Sequence, residues 1–114
     1  MSFWRNAVIE FALDAETRRQ MEEQRAWAER EPANPRPYYH LAQFCRMGGR
    51  QEDALGLLLE AVRLDAGFAP AHVSLAEIYV VQNDYAAAWR HARLAEQNGD
   101  RRGVELLERH GVDE

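Results

Sequence analysis

The sequence contains no lysine, because all 14 of its basic residues are arginine. It therefore lacks the side chain with which a P-loop holds phosphate and with which Schiff-base enzymes form an imine. Its single cysteine, Cys45, excludes an internal disulfide and the clustered thiolates of structural zinc sites. No stretch approaches the roughly 20 apolar residues that a membrane-spanning helix requires. Several classes of site are thus excluded before any motif is considered.

β-Branched residues are also few, while Ala, Leu, Glu and Arg dominate, which predicts an all-helical chain. The net charge of −5 is mild, and the basic residues form no stripe of the kind that binds nucleic acid. The first residues are partly apolar, but Arg5, Asn6 and Glu10 interrupt them, so we expect no signal peptide and a cytoplasmic location. The exclusive use of arginine is typical of a GC-rich, for instance bacterial, genome. A length of 114 residues predicts one domain.

One pattern is written twice between Pro35 and Asn98, at an offset of 34 residues. The recurring pairs are Leu41 and Leu75, Ala42 and Ala76, Ala54 and Ala88, and Ala61 and Ala95. A turn separates the two halves of each copy, at Gly48–Arg50 in the first and at Gln82–Asp84 in the second. The small residues fall where two antiparallel helices would approach closely. A period near 34 indicates helix–turn–helix units that stack.

These residues resemble the tetratricopeptide repeat (TPR) family. The first copy offers Tyr38, Leu41, Ala42, Gly49, Ala54, Leu58 and Ala61, and the second offers His72, Leu75, Ala76, Tyr79, Ala88 and Ala95. Three positions depart from the pattern. Cys45 replaces an aromatic residue, Asn83 replaces the glycine of the turn, and Ala92 replaces a large apolar residue. Asn tolerates the left-handed backbone that the turn requires.

The resemblance implies an all-α fold, a right-handed α-solenoid of antiparallel hairpins with six to seven helices. We predict a degenerate repeat at 1–34, repeats at 35–68 and 69–99, and a capping helix with its tail at 100–114, all in one domain. The expected helices run near 36–47, 51–64, 70–82 and 85–97, with a last short helix that Asp100 caps. Before Pro32 we expect a short helix from Ser2 and a second one capped by Asp14 or Thr17; one long helix is the alternative.

Candidate catalytic groups are sparse. The four histidines are scattered, and no pair has the spacing that places two imidazoles on one helical face. His40 and Cys45 could form a couple, but Cys45 occupies a packing position of the repeat, where a buried thiol behaves as a small hydrophobe. We therefore predict no metal, no cofactor and no enzymatic activity. The predicted function is protein–protein interaction.

In TPR proteins the first helix of each hairpin lines an inner groove that binds peptides or helices. The resemblance places these residues in the groove: Arg36, Tyr39, Gln43, Arg46, Val73, Glu77, Val80 and Val81. The arginines favour an acidic partner and the valines an apolar anchor, whereas the Lys and Asn set that clamps a terminal carboxylate is missing. The valines could instead pack in the core, since apolar stripes at helical spacing are most often buried.

An aromatic patch near the N-terminus suggests an alternative function. Phe3, Trp4 and Phe11 could make the chain a self-assembling structural module that forms a homo-oligomer through this segment or through the repeat ends. If the segment instead docks as the first helix of the solenoid, the patch is part of the core.

Overall fold

The computed structural model describes residues 14–114, and within this range the chain is helical without strands. The six helices are α1 (Ala15–Arg30), α2 (Arg36–Met47), α3 (Gln51–Leu64), α4 (Ala69–Val81), α5 (Tyr85–Gln97) and α6 (Arg102–Arg109). None of these described helices is long and apolar enough to cross a membrane. The predicted all-α helical-repeat fold class is confirmed. The described chain forms two compact units that divide after Leu64, and each is considered by itself.

Helix α1 of the first unit begins and ends where the sequence predicts. Asp14 is its N-cap, and the Asp14 carboxylate accepts hydrogen bonds from the backbone N–H of Thr17 at 2.7 Å and from its hydroxyl at 2.9 Å. These two bonds lower the pKa of Asp14. The helix ends at Arg30, ahead of Pro32. Met21 and Ala28 are fully buried, so this side of α1 faces the core.

Helices α2 and α3 form the hairpin of the first predicted full repeat. Pro37 lies in the first turn of α2, where a missing N–H costs nothing. The side chains that the repeat pattern marks as packing positions are buried. They are Tyr38, Leu41, Ala42 and Cys45 on α2, and Ala54, Leu58 and Ala61 on α3. The small residues at the repeat positions thus belong to the core of this hairpin.

The second unit consists of the α4–α5 hairpin with α6 packed against both helices. Its main apolar cluster joins Ala76 of α4, Ala88, Trp89 and Ala92 of α5, and Val104 and Leu107 of α6. Gly103 permits the close approach of α6, since a Cβ at this position would lie 3.2 Å from both Cα and Cβ of Ala92. Val104 and Leu107 of α6 therefore pack on the apolar side of the hairpin.

Four helices end in the same hydrogen-bonded turn. After α2, the N–H of Gly49 donates to the carbonyl of Arg46 at 3.1 Å, and the N–H of Arg50 donates to that of Cys45 at 2.8 Å. This pair of hydrogen bonds is the Schellman motif. The first of the two donor residues, here Gly49, adopts a left-handed backbone conformation in this motif. Gly49 has φ 75° and Asn83, at the equivalent position after α4, has φ 61°. Asn83 thus fills the role of the turn glycine; Gly99 and Gly111 fill it after α5 and α6.

The predicted cap of α6 is wrong by one residue. The N-cap is Arg101, whose side chain makes no capping bond. Asp100 lies just before it and accepts instead from the N–H of Arg102 at 3.0 Å. A carboxylate that bonds two residues ahead forms an Asx turn, so Asp100 shapes the entry into the helix from one position earlier.

We expect Gly49→Ala to lower the free energy of unfolding by about 1–2 kcal/mol, the cost of a left-handed Cβ. A Cβ at Gly49 would meet no atom within 4 Å, so the cost is one of backbone conformation. Gly56 is a matched control, because it also faces open space but lies inside α3. Gly56→Ala should raise the stability by up to about 1 kcal/mol. Urea unfolding followed by circular dichroism measures the stability of both variants. If both substitutions change the stability in the same direction, the left-handed backbone of Gly49 is not the cause.

Candidate functional site

The eight predicted groove residues all lie on the first helix of a hairpin. On α2 of the first unit, Arg36 is exposed, while Tyr39, Gln43 and Arg46 are half-buried. On α4 of the second unit, Glu77 and Val80 are half-buried and Val81 is 75% exposed. Val73 is the eighth residue and is buried.

Val73 is part of the core of the second unit. It is 6% exposed and lies in a small apolar cluster with Ala69 and Ala95. Val80 also packs partly against the main cluster of this unit. Core packing, the alternative interpretation of the valine stripe, therefore describes Val73, and Val81 is the valine left to the solvent.

An open cavity of about 340 Å³ lies between α1 and α2 in the first unit. Its lining residues are Gln20, Glu23 and Gln24 of α1 and His40, Gln43, Phe44 and Met47 of α2. The walls combine an aromatic ring and a thioether with amide groups. Gln43 is the one predicted groove residue among the described residues that line this cavity.

His40 is held in place on one wall of the cavity. Its Nδ1 lies 2.9 Å from Oε1 of Gln24, and its ring is 6.0 Å from that of Trp27. Because an amide oxygen can only accept, Nδ1 of His40 carries the proton of this bond. Burial, together with the positive charge of Arg36, lowers the pKa of His40. His40 is therefore uncharged near neutral pH and contributes shape and a hydrogen bond, while the carboxyl group of Glu23 lies on the α1 side of the cavity.

Met47 is a surface residue that the resemblance to TPR proteins offers as a further candidate for the groove, beside the eight residues named above. Its side chain is 80% exposed at the end of α2. Val81 ends α4 in the same way, and the two residues lie 34 positions apart. Both hairpins thus leave an apolar side chain in water at the same repeat position. This shared position favours Met47 as a member of the site.

Cys45 does not act with His40. The thiol is fully buried, and burial raises its pKa to about 12, so it stays protonated and unreactive. His40 bonds to Gln24 instead. Within residues 14–114, no three His, Cys, Asp or Glu side chains lie close enough together to hold a metal ion. Phe3, Trp4 and Phe11, the predicted self-association residues, lie outside the described residues.

The chain is similar in sequence to part of a known protein. The chain is 34% identical, over 82 residues, to the TPR repeat-containing thioredoxin TTL4 of Arabidopsis thaliana. The matched stretch covers 69% of this chain but only 12% of that protein, so the chain corresponds to a small part of its length. No protein-family model matches the chain. No solved structure matches it either.

Proposed function

Since this chain is a tetratricopeptide-type helical-repeat protein, and so a protein-interaction module, we propose that it binds a peptide or helix of a partner protein. The binding faces would be those of α2 and α4, the first helices of the two hairpins. The observation that supports this best is the open cavity beside α2, with Met47 exposed at its edge. No catalytic step is part of this proposal.

The cavity has the size and chemistry to hold an apolar anchor. Its volume of about 340 Å³ lies at the lower end of the range of ligand pockets, which starts at about 300 Å³. Phe44 and Met47 supply an apolar, polarisable wall that adapts to different side chains. Gln20, Gln24 and Gln43 add amide groups to the walls. Oε1 of Gln24 accepts from His40 and Nε2 of Gln20 donates to Glu16, so Nε2 of Gln24 is the group that can donate to a peptide backbone. One large side chain of a partner helix would fill such a space.

Arg36 gives the face of α2 a preference for acidic partners. It is exposed at the start of the helix, and its guanidinium makes no ion pair among the residues that the structure describes. Arginine in this position can take a carboxylate in a bidentate bond. Tyr39 lies three residues further along the same helix and belongs to the types that most often dominate interfaces. An acidic segment with one large apolar side chain is therefore the partner that fits this face.

We expect the Arg36→Glu, Met47→Gln double variant to lose at least tenfold in affinity for its partner, as expected when two interface residues are changed. The matched control is Arg18→Glu with Leu59→Gln. Arg18 is exposed near the start of α1. It lies two residues, about half a helical turn, from the cavity residue Gln20 and so on the other side of the helix. Leu59 is 41% exposed on α3. Capture from cell extract, followed by titration of the captured protein, measures both variants.

Self-association remains the alternative prediction, and the same experiment separates the two functions. Sedimentation should give the mass of a monomer for the wild type and for both variants. If the control loses the partner as strongly as the test variant, the face of α2 is not the binding surface. If the wild type sediments as a dimer and removal of residues 1–13 abolishes the dimer, self-assembly is the function.

A further inference from the structure

Two buried histidines face each other inside the α4–α5 hairpin. His72 on α4 is 3% exposed and His91 on α5 is 7% exposed. Their Nδ1 atoms lie 2.9 Å apart, and the two rings meet edge to edge, with centroids 5.2 Å apart and an angle of 28° between the ring planes. The proposed partner-binding function uses neither ring. Because the two buried imidazoles bond directly to each other, the stability of the hairpin depends on which ring nitrogens carry protons.

The contacts of the pair determine both tautomers. Nε2 of His72 lies 2.7 Å from the backbone carbonyl oxygen of Ala66, which can only accept, so Nε2 carries a proton. In neutral His72, Nδ1 is then an acceptor. His91 must therefore donate from its own Nδ1, and its Nε2 is the unprotonated nitrogen. The bond between the helices thus runs in one direction, from His91 to His72.

The surroundings oppose charge on the pair. Tyr79 of α4 stacks on His91 with ring centroids 5.6 Å apart and an angle of 13°. Burial, the neighbouring His72 and the guanidinium of Arg90 together lower the pKa of His91 to about 4. Helix α6 packs on the hairpin with apolar side chains, Val104 and Leu107. Within the part of the chain that the structure describes, no carboxylate is among the groups that act on His91.

We propose that the His72–His91 bond is a proton-sensitive closure of the second unit, which holds the α4–α5 hairpin together when both rings are neutral and opens it on acidification. One added proton can go to Nε2 of His91 and leave the bond intact. A second proton must go to Nδ1 of His72, where it would point at the Nδ1–H of His91. The pair can therefore take up two added protons only if the rings separate.

The direction of the effect follows from linkage. An unfolded histidine takes up its proton near pH 6.5, whereas His91 in the folded hairpin does so only near pH 4. Between these values the open form binds more protons, so stability is complete above about pH 6.5 and falls as the pH approaches 4. From about pH 7.5 to about pH 5, His91 alone raises the unfolding equilibrium constant about 30-fold.

The test measures urea unfolding of the wild type and of His91→Phe at about pH 7.5 and at about pH 5. The phenyl ring retains the stacking on Tyr79 but cannot be protonated. Acidification should raise the unfolding equilibrium constant of the variant less than that of the wild type, by a factor of about 30 or more. His110 is exposed, so the His110→Gln control should retain the wild-type response. If His91→Phe responds to acid as strongly as the wild type, the closure is not the cause.

A second measurement does not depend on how well the variant folds. Nitrogen NMR of the wild-type rings near neutral pH distinguishes the two tautomers of each histidine. We expect His72 to carry its proton on Nε2 and His91 to carry its proton on Nδ1. If both rings are protonated on Nε2, there is no bond between the Nδ1 atoms and the proposal is overturned.

Discussion

Trp89→Ala should lower the free energy of unfolding by about 3–5 kcal/mol, the range for removing a buried large aromatic side chain. Trp89 is 7% exposed and belongs to the main apolar cluster of the second unit. Its ring also lies under the guanidinium of Arg93, 5.0 Å from the centroid. Its Nε1–H donates to the backbone carbonyl of Val112 at 3.2 Å, so the same side chain anchors the segment after α6. Removal would affect core and tail together.

Trp89→Phe separates these two contributions. The smaller ring still fills much of the cluster but cannot donate to Val112, and the lost bond alone should cost about 1 kcal/mol. Unfolding in urea, followed by circular dichroism rather than tryptophan fluorescence, compares both variants with the wild type. A loss below about 1 kcal/mol for Trp89→Ala would mean that the cluster reorganises around the gap. Equal losses for the two variants would mean that the hydrogen bond, not the ring, is what matters.

Local signals in the sequence were sufficient to predict where the helices lie. Asp14, Pro37 and the turn residues Gly49 and Asn83 act within a few residues of their own positions, through capping bonds or a restricted backbone. The helices predicted near 36–47, 51–64 and 85–97 are therefore those observed. The 34-residue period added which small residues had to be buried, and Ala54 is among them.

The surface of the site was harder to predict, because exposure depends on what packs against each helix. Val73 and Val81 have the same side chain on the same helix, yet Val73 is buried and Val81 is exposed. Spacing along α4 cannot separate them, since this helix is apolar around most of its circumference. Eight of its residues are buried. In the fold, Val73 shares a small apolar cluster with Ala95 of α5, a contact between helices that spacing along α4 does not specify.

The histidine pair shows a different limit. His72 and His91 lie 19 residues apart on different helices, and neither belongs to a recognisable ligand motif. The sequence predicts that α4 and α5 are antiparallel neighbours, but not the rotation of each helix that brings the two Nδ1 atoms together. The repeat pattern expects a large packing side chain at His72. A polar residue at such a position needs a buried partner, and this requirement is the signal that could have indicated the pair.

Leu75→Ala should cost about 2–5 kcal/mol, because the side chain is fully buried and the surrounding residues can close the gap only in part. Leu75 is the repeat equivalent of Leu41, which is 1% exposed in the first unit, so Leu41→Ala should fall in the same range. Leu59→Ala is the matched control, since Leu59 is 41% exposed in the interior of α3. All three changes alter helix propensity equally. The difference between them therefore measures burial.

Urea midpoints with unchanged slopes would report these losses directly as stability. We expect Leu59→Ala to lose less than about 1 kcal/mol, because most of what it removes was already in contact with water. If Leu75→Ala and Leu59→Ala destabilise the protein equally, the leucines at the repeat positions do not form its core. A large loss for both Leu41→Ala and Leu75→Ala, with a small one for the control, would show that the sequence period corresponds to a repeated pattern of burial.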